Sequence, residues 1–217
     1  MKELYMFVHT QQRSRPGTFL KMTCLLFILG MMSFSGTAQI YLNQFAGTGA
    51  CPTQGNVPAV AANTSGTPLS RSNTICVATG NVFNSSPLNT TSTIDNNLYI
   101  EFSASANAGY GLNLTSLSFF RQGSPSAPNK LEVRYSTDGF LTWTTWGAAP
   151  NTPTTGSVIT WDFADFSVNS PKTLTFRFYP YGTQRCDLAS PSLSGGTFRL
   201  DDVTLNGTVV NTATLSA

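Results

Sequence analysis

Leu174-Thr175-Phe176-Arg177-Phe178-Tyr179 places an apolar side chain at every second position and a polar or amphipathic one between. A period of two marks an extended strand with one dry face and one wet face. The same beat runs through Leu98-Tyr99-Ile100-Glu101-Phe102-Ser103 and through Leu131-Glu132-Val133-Arg134-Tyr135. Ile40 to Phe45 precedes these segments. Leu112, Leu114, Leu117 and Phe119, then Phe140 to Trp146, Val158 to Phe163 and Phe198 to Leu205, extend the series. Gly, Pro, Asn and Ser separate the segments, and no run of helical period lies between them. About eight or nine strands with no crossover helices predict an all-β fold of two antiparallel sheets packed face to face. One irregularity stands out in the last segment. Phe198 and Leu200 share a face, as do Val203 and Leu205, but the two pairs are out of phase unless an extra residue is inserted at Asp201-Asp202. A β-bulge there restores the register and re-aims the two carboxylates.

The first 38 residues differ in kind. Arg13, Arg15 and Lys21 flank a short apolar run, Cys24-Leu25-Leu26-Phe27-Ile28-Leu29 with Met31 and Met32, and Gly36-Thr37-Ala38 supplies small residues before Gln39. This is the pattern of a signal peptide. The apolar core is shorter than the roughly 20 residues a spanning helix needs, so the mature chain is expected to be exported, secreted or held at the cell surface, without a membrane span. The expected organisation is a signal peptide over 1–38, a β-sandwich over 39–210 and a tail over 211–217.

Removing the leader changes the charge. Lys2, Arg13, Arg15 and Lys21 lie in it against Glu3 alone, which leaves eight basic and nine acidic residues in a near-neutral domain. No Lys/Arg cluster remains, so the footprint of a nucleic-acid binder is missing. The one histidine of the chain, His9, is in the leader. A mature domain without imidazole cannot run a Ser-His-Asp or Cys-His mechanism or build a His-ligated zinc site, and no enzymatic role is expected.

Three cysteines remain after Cys24 leaves with the leader: Cys51, Cys76 and Cys186. Of the three pairings open to them, Cys51 with Cys76 is favoured because it staples a long Pro/Gly/Asn-rich stretch of little apolar content. Cys186 is then buried, paired between chains, or joined to one of the others instead. The stretch from Ser85 to Thr93, rich in Thr, Ser and Asn, has the composition of a low-complexity linker.

Taken together, the runs at 99–103, 112–119, 131–140, 174–179 and 198–207 resemble the jelly-roll domain of exported bacterial surface proteins, of the kind found in Bacteroidetes-like and cyanobacterial secretomes. The ending Phe198-Arg199-Leu200-Asp201-Asp202-Val203-Thr204-Leu205-Asn206-Gly207 is also similar to the last strand of jelly-roll carbohydrate-binding modules, where an Asp commonly helps hold a structural calcium. That resemblance implies Asp201 and Asp202 as metal ligands. Paired carboxylates suit a hard cation that takes six to eight oxygens. Asp95, Asp187 and Asn43 are the partners that distant loops could bring. Turn-capping, or an ion pair with Arg199 or Arg177, is the competing reading. The chain departs from those modules near its first strand, where it carries Asn43 and Gln44 instead of an acidic residue.

Tyr179 and Tyr181 fall on the strand face opposite Phe176 and Phe178, and Trp143 and Trp146 cannot both point inward if their segment alternates. With Arg177 nearby, these aromatics form a candidate platform on which sugar rings stack. Ser136 to Trp143 resembles the Asp-box hairpin of sialidases, but a single copy reads as a turn. Glu101 and Glu132 are the natural pair for a carboxylate-only glycoside hydrolase; cross-strand pairing with Arg134 and Arg177 explains them without chemistry. The expectation is a non-catalytic extracellular binding or adhesion module with a polysaccharide or cell-surface glycan as partner. The alternatives are a purely structural spacer or surface-layer domain of a longer exported protein, and the hydrolase.

Overall fold

The computed structural model describes residues 38–51, 56–147 and 149–213. The expected leader lies outside these residues except for Ala38, and so do positions 214–217 of the expected tail. Thirteen strands follow one another: β1 (Ala38–Asn43), β2 (Ala59–Val60), β3 (Thr64–Gly66), β4 (Ser70–Ser72), β5 (Ile75–Cys76), β6 (Phe83–Ser86), β7 (Tyr99–Ala106), β8 (Tyr110–Gly123), β9 (Pro128–Ser136), β10 (Thr144–Trp146), β11 (Ser157–Asn169), β12 (Thr173–Arg185) and β13 (Phe198–Asn211). No helix interrupts them among the described residues, and none there is long and apolar enough to cross a membrane.

Every pairing is antiparallel. One sheet runs β11-β8-β13-β1-β2, with β6 beside β13 and β5 beside β6; the other runs β10-β9-β12-β7-β3, with β4 also on β7. With the short strands β2 to β6 set aside, β1-β13-β8-β11 faces β7-β12-β9-β10, the strand order of a jelly roll. The all-β sandwich expected from the period-two segments is therefore present.

The dry interior is largely aromatic. Phe176 and Phe178 of β12 point inward with Phe102 of β7, and rings of the facing sheet meet them. Phe119 stands edge-on to Phe178 at 4.9 Å, and Tyr41 stacks on Phe102 at 4.5 Å. Tyr135 stacks on Phe166 at 4.6 Å. Such pairs contribute beyond the area they bury, roughly 0.5–1.5 kcal/mol each.

Two bulges set the phase between β13 and β8. From Asp201 to Thr204, β13 takes three residue steps while β8 takes two, from Phe120 to Ser118, and Asp202 adopts a φ of 48°. This is the insertion that the phase conflict around Asp201-Asp202 requires, and it lets Phe198, Leu200, Val203 and Leu205 all bury. The second bulge lies in β8 between Leu114 and Ser116, opposite Gly207 and Asn206. It explains how Leu112 and Leu114, then Leu117 and Phe119, all reach the interior. Gly207 is obligatory here, because a Cβ at that position would sit 2.0 Å from the Asn113 carbonyl oxygen.

Two expectations need correction. Phe140 to Trp146 is extended only from Thr144, because the Asp138 carboxylate captures the Thr142 amide and hydroxyl and Phe140 takes a φ of 66°. Ser85 to Thr93 is not a loose linker. Asn84, Ser85 and Asn89 are buried, Ser85 accepts from Arg71, and Asn89 bonds across its own turn to Thr91 and Thr93. Polar composition there reflects a hydrogen-bonded seam, in which Ser85 and Asn89 find internal partners while the Asn84 side-chain oxygen has none.

Candidate functional site

On the wet face of the second sheet, β7 presents Tyr99 and Glu101, β12 presents Arg177, Tyr179 and Tyr181, and β9 presents Lys130, Glu132 and Arg134. Arg177 sits opposite Glu101 on one side and Arg134 on the other. The glutamates neutralise part of this charge. Arg177 Nε donates to Glu101 at 2.9 Å across strands, and Arg134 Nε pairs with Glu132 two residues back on its own strand. Glu101 and Glu132 thus lie on opposite flanks of β12, each bound to an arginine, rather than side by side.

Two loops arch over β12 from either side. The turn before β7 sends Asn96 across, where its Oδ1 accepts from Arg134 Nη1 at 2.7 Å. The loop between β9 and β10 returns Phe140 and Trp143. Its shape comes from Asp138, which accepts from the Ser136 hydroxyl at 2.7 Å and from the Thr142 amide and hydroxyl. The Thr142 hydroxyl, then its amide and the Ser136 hydroxyl, hold the Asp138 carboxyl down to about 2, so it is ionised at neutral pH and keeps its bonds.

The result is a pair of interleaved stacks. The Arg177 guanidinium lies 3.8 Å from the Phe140 ring and 4.0 Å from that of Tyr99. Arg134 lies 4.6 Å from the Tyr179 ring and 5.0 Å from that of Trp143. Cation–π contact of this kind contributes about 0.5–2 kcal/mol, more as water is removed. Between the stacks is a recess of about 190 Å³ lined by Asn96, Arg134, Phe140, Trp143, Arg177 and Tyr179. Burial pushes the Tyr179 phenol up, against the pull of both arginines; the side chain is buried at the floor of the recess, 2% exposed. Trp143 is 49% exposed, with much of its indole left open.

Of the residues the sequence singled out for a ligand, the fold brings Trp143, Tyr179 and Arg177 into one recess. Trp146 goes elsewhere. It turns into the sandwich, stacking on Trp161 at 5.5 Å and meeting Phe119 edge-on, because the pairing of β10 with β9 sends it inward. Tyr181 is on the same wet face but beyond the recess lining, with the Lys130 ammonium 5.8 Å from its ring. Asn96, Arg134 and Phe140 were not anticipated. For Phe140 a signal existed, since a large residue occupies the position where an Asp-box turn often has Gly. Along the same face, toward the other end of β12, a hollow of about 230 Å³ is lined by Ser65, Thr67, Ser103, Ser105 and Thr173 together with Gly66 and Ala104. It offers hydroxyls without rings or charges.

Asp201 and Asp202 serve the fold at a different place. Asp201 Oδ1 accepts from the Phe45 amide at 3.0 Å and from the Asp202 amide at 2.8 Å, and Asp202 Oδ1 accepts from Gln44 Nε2 at 2.8 Å. Of the residues considered as co-ligands, Asp95 caps Asn97, Asp187 pairs with Arg185, and Asn43 bonds Leu69 and Asn56. Among the described residues no group of three or more His, Cys, Asp or Glu side chains stands close enough to hold a metal. The three bonds accepted by the two carboxylates all come from amide N–H groups.

Cys51 and Cys76 form a disulfide with Cα atoms 5.6 Å apart, as the composition of the intervening stretch favoured. Cys186 is a buried free thiol.

No family model matches the chain, and no curated protein matches it. Among solved structures, one described as "CBM4 structure and function" aligns at 16% identity and a TM-score of 0.38, covering 64% of this chain and 78% of the other. The family 11 carbohydrate-binding module from Clostridium thermocellum, solved with a β-1,3-1,4-mixed-linked tetrasaccharide, aligns at 12% identity and a TM-score of 0.30, covering 79% of this chain and 98% of the other. At such low overlap the site of one protein says nothing about the site of the other.

Proposed function

We propose that the chain is a non-catalytic binding module and that the recess over β9 and β12 takes a sugar. One observation carries this reading: a half-exposed indole and two further rings surround guanidinium, amide and phenol groups in a space of about 190 Å³. That combination suits a ligand with apolar C–H faces and a rim of hydroxyls. The volume is below the roughly 300–1,000 Å³ of pockets that enclose drug-sized molecules, so the fit is to one ring or its substituents. The neighbouring hydroxyl hollow has no apolar floor to displace water from, and it is the weaker candidate. Ion pairing of Glu101 and Glu132 with arginines supports a binding role over hydrolysis.

The test is a glycan array followed by titration calorimetry with the best ligand. Trp143→Ala is expected to weaken binding about tenfold or more, close to 1.4 kcal/mol. Because Trp143 is only half-buried, the same change should cost the fold no more than about 1 kcal/mol. A blank array, or unchanged affinity in this variant, removes the proposal and leaves the spacer reading.

Export belongs to the same reading and is supported by the Cys51–Cys76 disulfide, which needs an oxidising compartment to persist. The aspartate pair is proposed to clamp the chain at Phe45 rather than to hold calcium. Melting curves with added calcium and with chelator should therefore superimpose; a calcium-dependent rise of several degrees restores the ion.

A further inference from the structure

The wall of the recess holds two guanidiniums and no carboxylate among the described residues. Glu101 and Glu132 take the Nε edges of Arg177 and Arg134, and neither lines the recess. A group entering the recess meets the nearer cations before the more distant anions, and the nearer charges dominate its energy because Coulomb attraction falls with distance. Two rings lie against each guanidinium and restrict its orientation. Arg134 is clasped by Tyr179, Trp143 and Asn96, and Arg177 by Phe140 and Tyr99. A fixed guanidinium plane favours a planar, two-oxygen acceptor, since both oxygens can be met in that plane at once.

Phe140 strengthens the case. A φ of 66° is unfavourable for a bulky residue, and it is sustained here by the Asp138 turn, with the ring lying on Arg177. Strain of that order persists where the surroundings over-determine it and tends to mark sites that position a group.

We infer that the recess selects an acidic sugar and grips its carboxylate between Arg134 and Arg177. This rests on the sugar-binding reading above and names the class of sugar. An anionic polysaccharide is the chemistry required, with uronate units as the source of the carboxylate; sulfate esters are the other source of negative charge and are separated by the test.

The experiment compares four probes on the unaltered chain by calorimetry: tetragalacturonate, its fully methyl-esterified form, cellotetraose and a sulfated tetrasaccharide. Tetragalacturonate should bind about tenfold or more tightly than its ester, and added salt should weaken it. Esterification removes the charge at the cost of one added methyl group per unit, and no variant or question of folding enters. As a second measurement, Arg177→Lys keeps a cation but loses the planar fork and should cut the preference for tetragalacturonate over its methyl ester by about tenfold; an undiminished preference overturns the role given to the fork. Equal binding of acid and ester overturns the inference, and so does tighter binding of the sulfated probe. Binding of cellotetraose above tetragalacturonate overturns it too, yet leaves the sugar-binding reading standing. No binding of any probe, with a blank glycan array, sinks both.

Discussion

Phe176→Ala is expected to lower the unfolding free energy by about 4 kcal/mol, the usual cost of deleting a fully buried aromatic ring. In a domain of this size that moves Tm down by roughly 8–16 °C. The residue earns the larger end of the range through its position. Its ring stacks on Phe102 of β7 at 5.3 Å and lies 5.7 Å from Tyr135 of β9, so it joins both neighbours of β12 within one sheet. It also meets Trp161 and Phe163 of β11, each at 6.4 Å, across the interior. An alanine there leaves a void bounded by rigid rings, which cannot collapse to fill it. Phe176→Leu keeps most of the volume and should cost well under half as much. Arg177 is the next residue, so a destabilised but folded Phe176→Leu chain also reports whether the recess depends on the packing beneath it. Thermal and urea unfolding followed by circular dichroism reads both variants, and a loss below about 1 kcal/mol for Phe176→Ala contradicts this account of the core.

The parts of the molecule that were legible in the sequence are those governed by local period. Alternation in 98–103, 131–135 and 174–179 needs only neighbouring residues to state which face is dry, and the sheets confirm it. The bulge at Asp201-Asp202 was legible for the same reason, because a phase conflict within eight residues has few solutions. The recess was only half legible. Tyr179 and Arg177 follow from the period, but their partnership with Asn96, Arg134 and Phe140 depends on two loops arching over β12, and nothing local specifies where a loop tip lands. The facing of Trp143 and Trp146 turned on the same point. Three residues apart, they fall on opposite faces of an alternating segment, and the period alone did not say which turns inward; the pairing of β10 with β9 sends Trp146 in and leaves Trp143 on the wet face. Ser85 to Thr93 was misleading because hydroxyls and amides that bond to each other inside a seam have the composition of those that bond to water.

Replacing Cys51 and Cys76 together with serine should cost about 3 kcal/mol, or a fall in Tm of roughly 6–12 °C, and a reducing agent should do the same to the native chain. The magnitude follows from the unfolded chain, which loses the freedom of the segment between cysteines 25 positions apart, rather than from contacts made by the sulfurs, since Cys51 is exposed and Cys76 only half-buried. Among the described residues of that segment, Leu69 alone joins the buried hydrophobic core. The strands in it are two or three residues long, and the hydrogen bonds at its ends are those of turns, such as Thr79 N to the Ala50 carbonyl at 2.7 Å and Gly47 N to Asn81 Oδ1 at 2.8 Å. An effect seated in the unfolded state carries its own signature: the double variant should show a larger denaturant m value, because its unfolded chain exposes more surface. Cys186 does not confuse the measurement. Burial pushes its thiol up to about 11, which leaves little thiolate to attack the bridge. Sugar affinity should be unchanged, since Cys76 lies on β5 of the first sheet while the recess is built on the wet face of the second. A double variant that melts within about 2 °C of the native chain would show that the short strands hold this segment without the bridge, and a loss of affinity would show that the segment supports the recess.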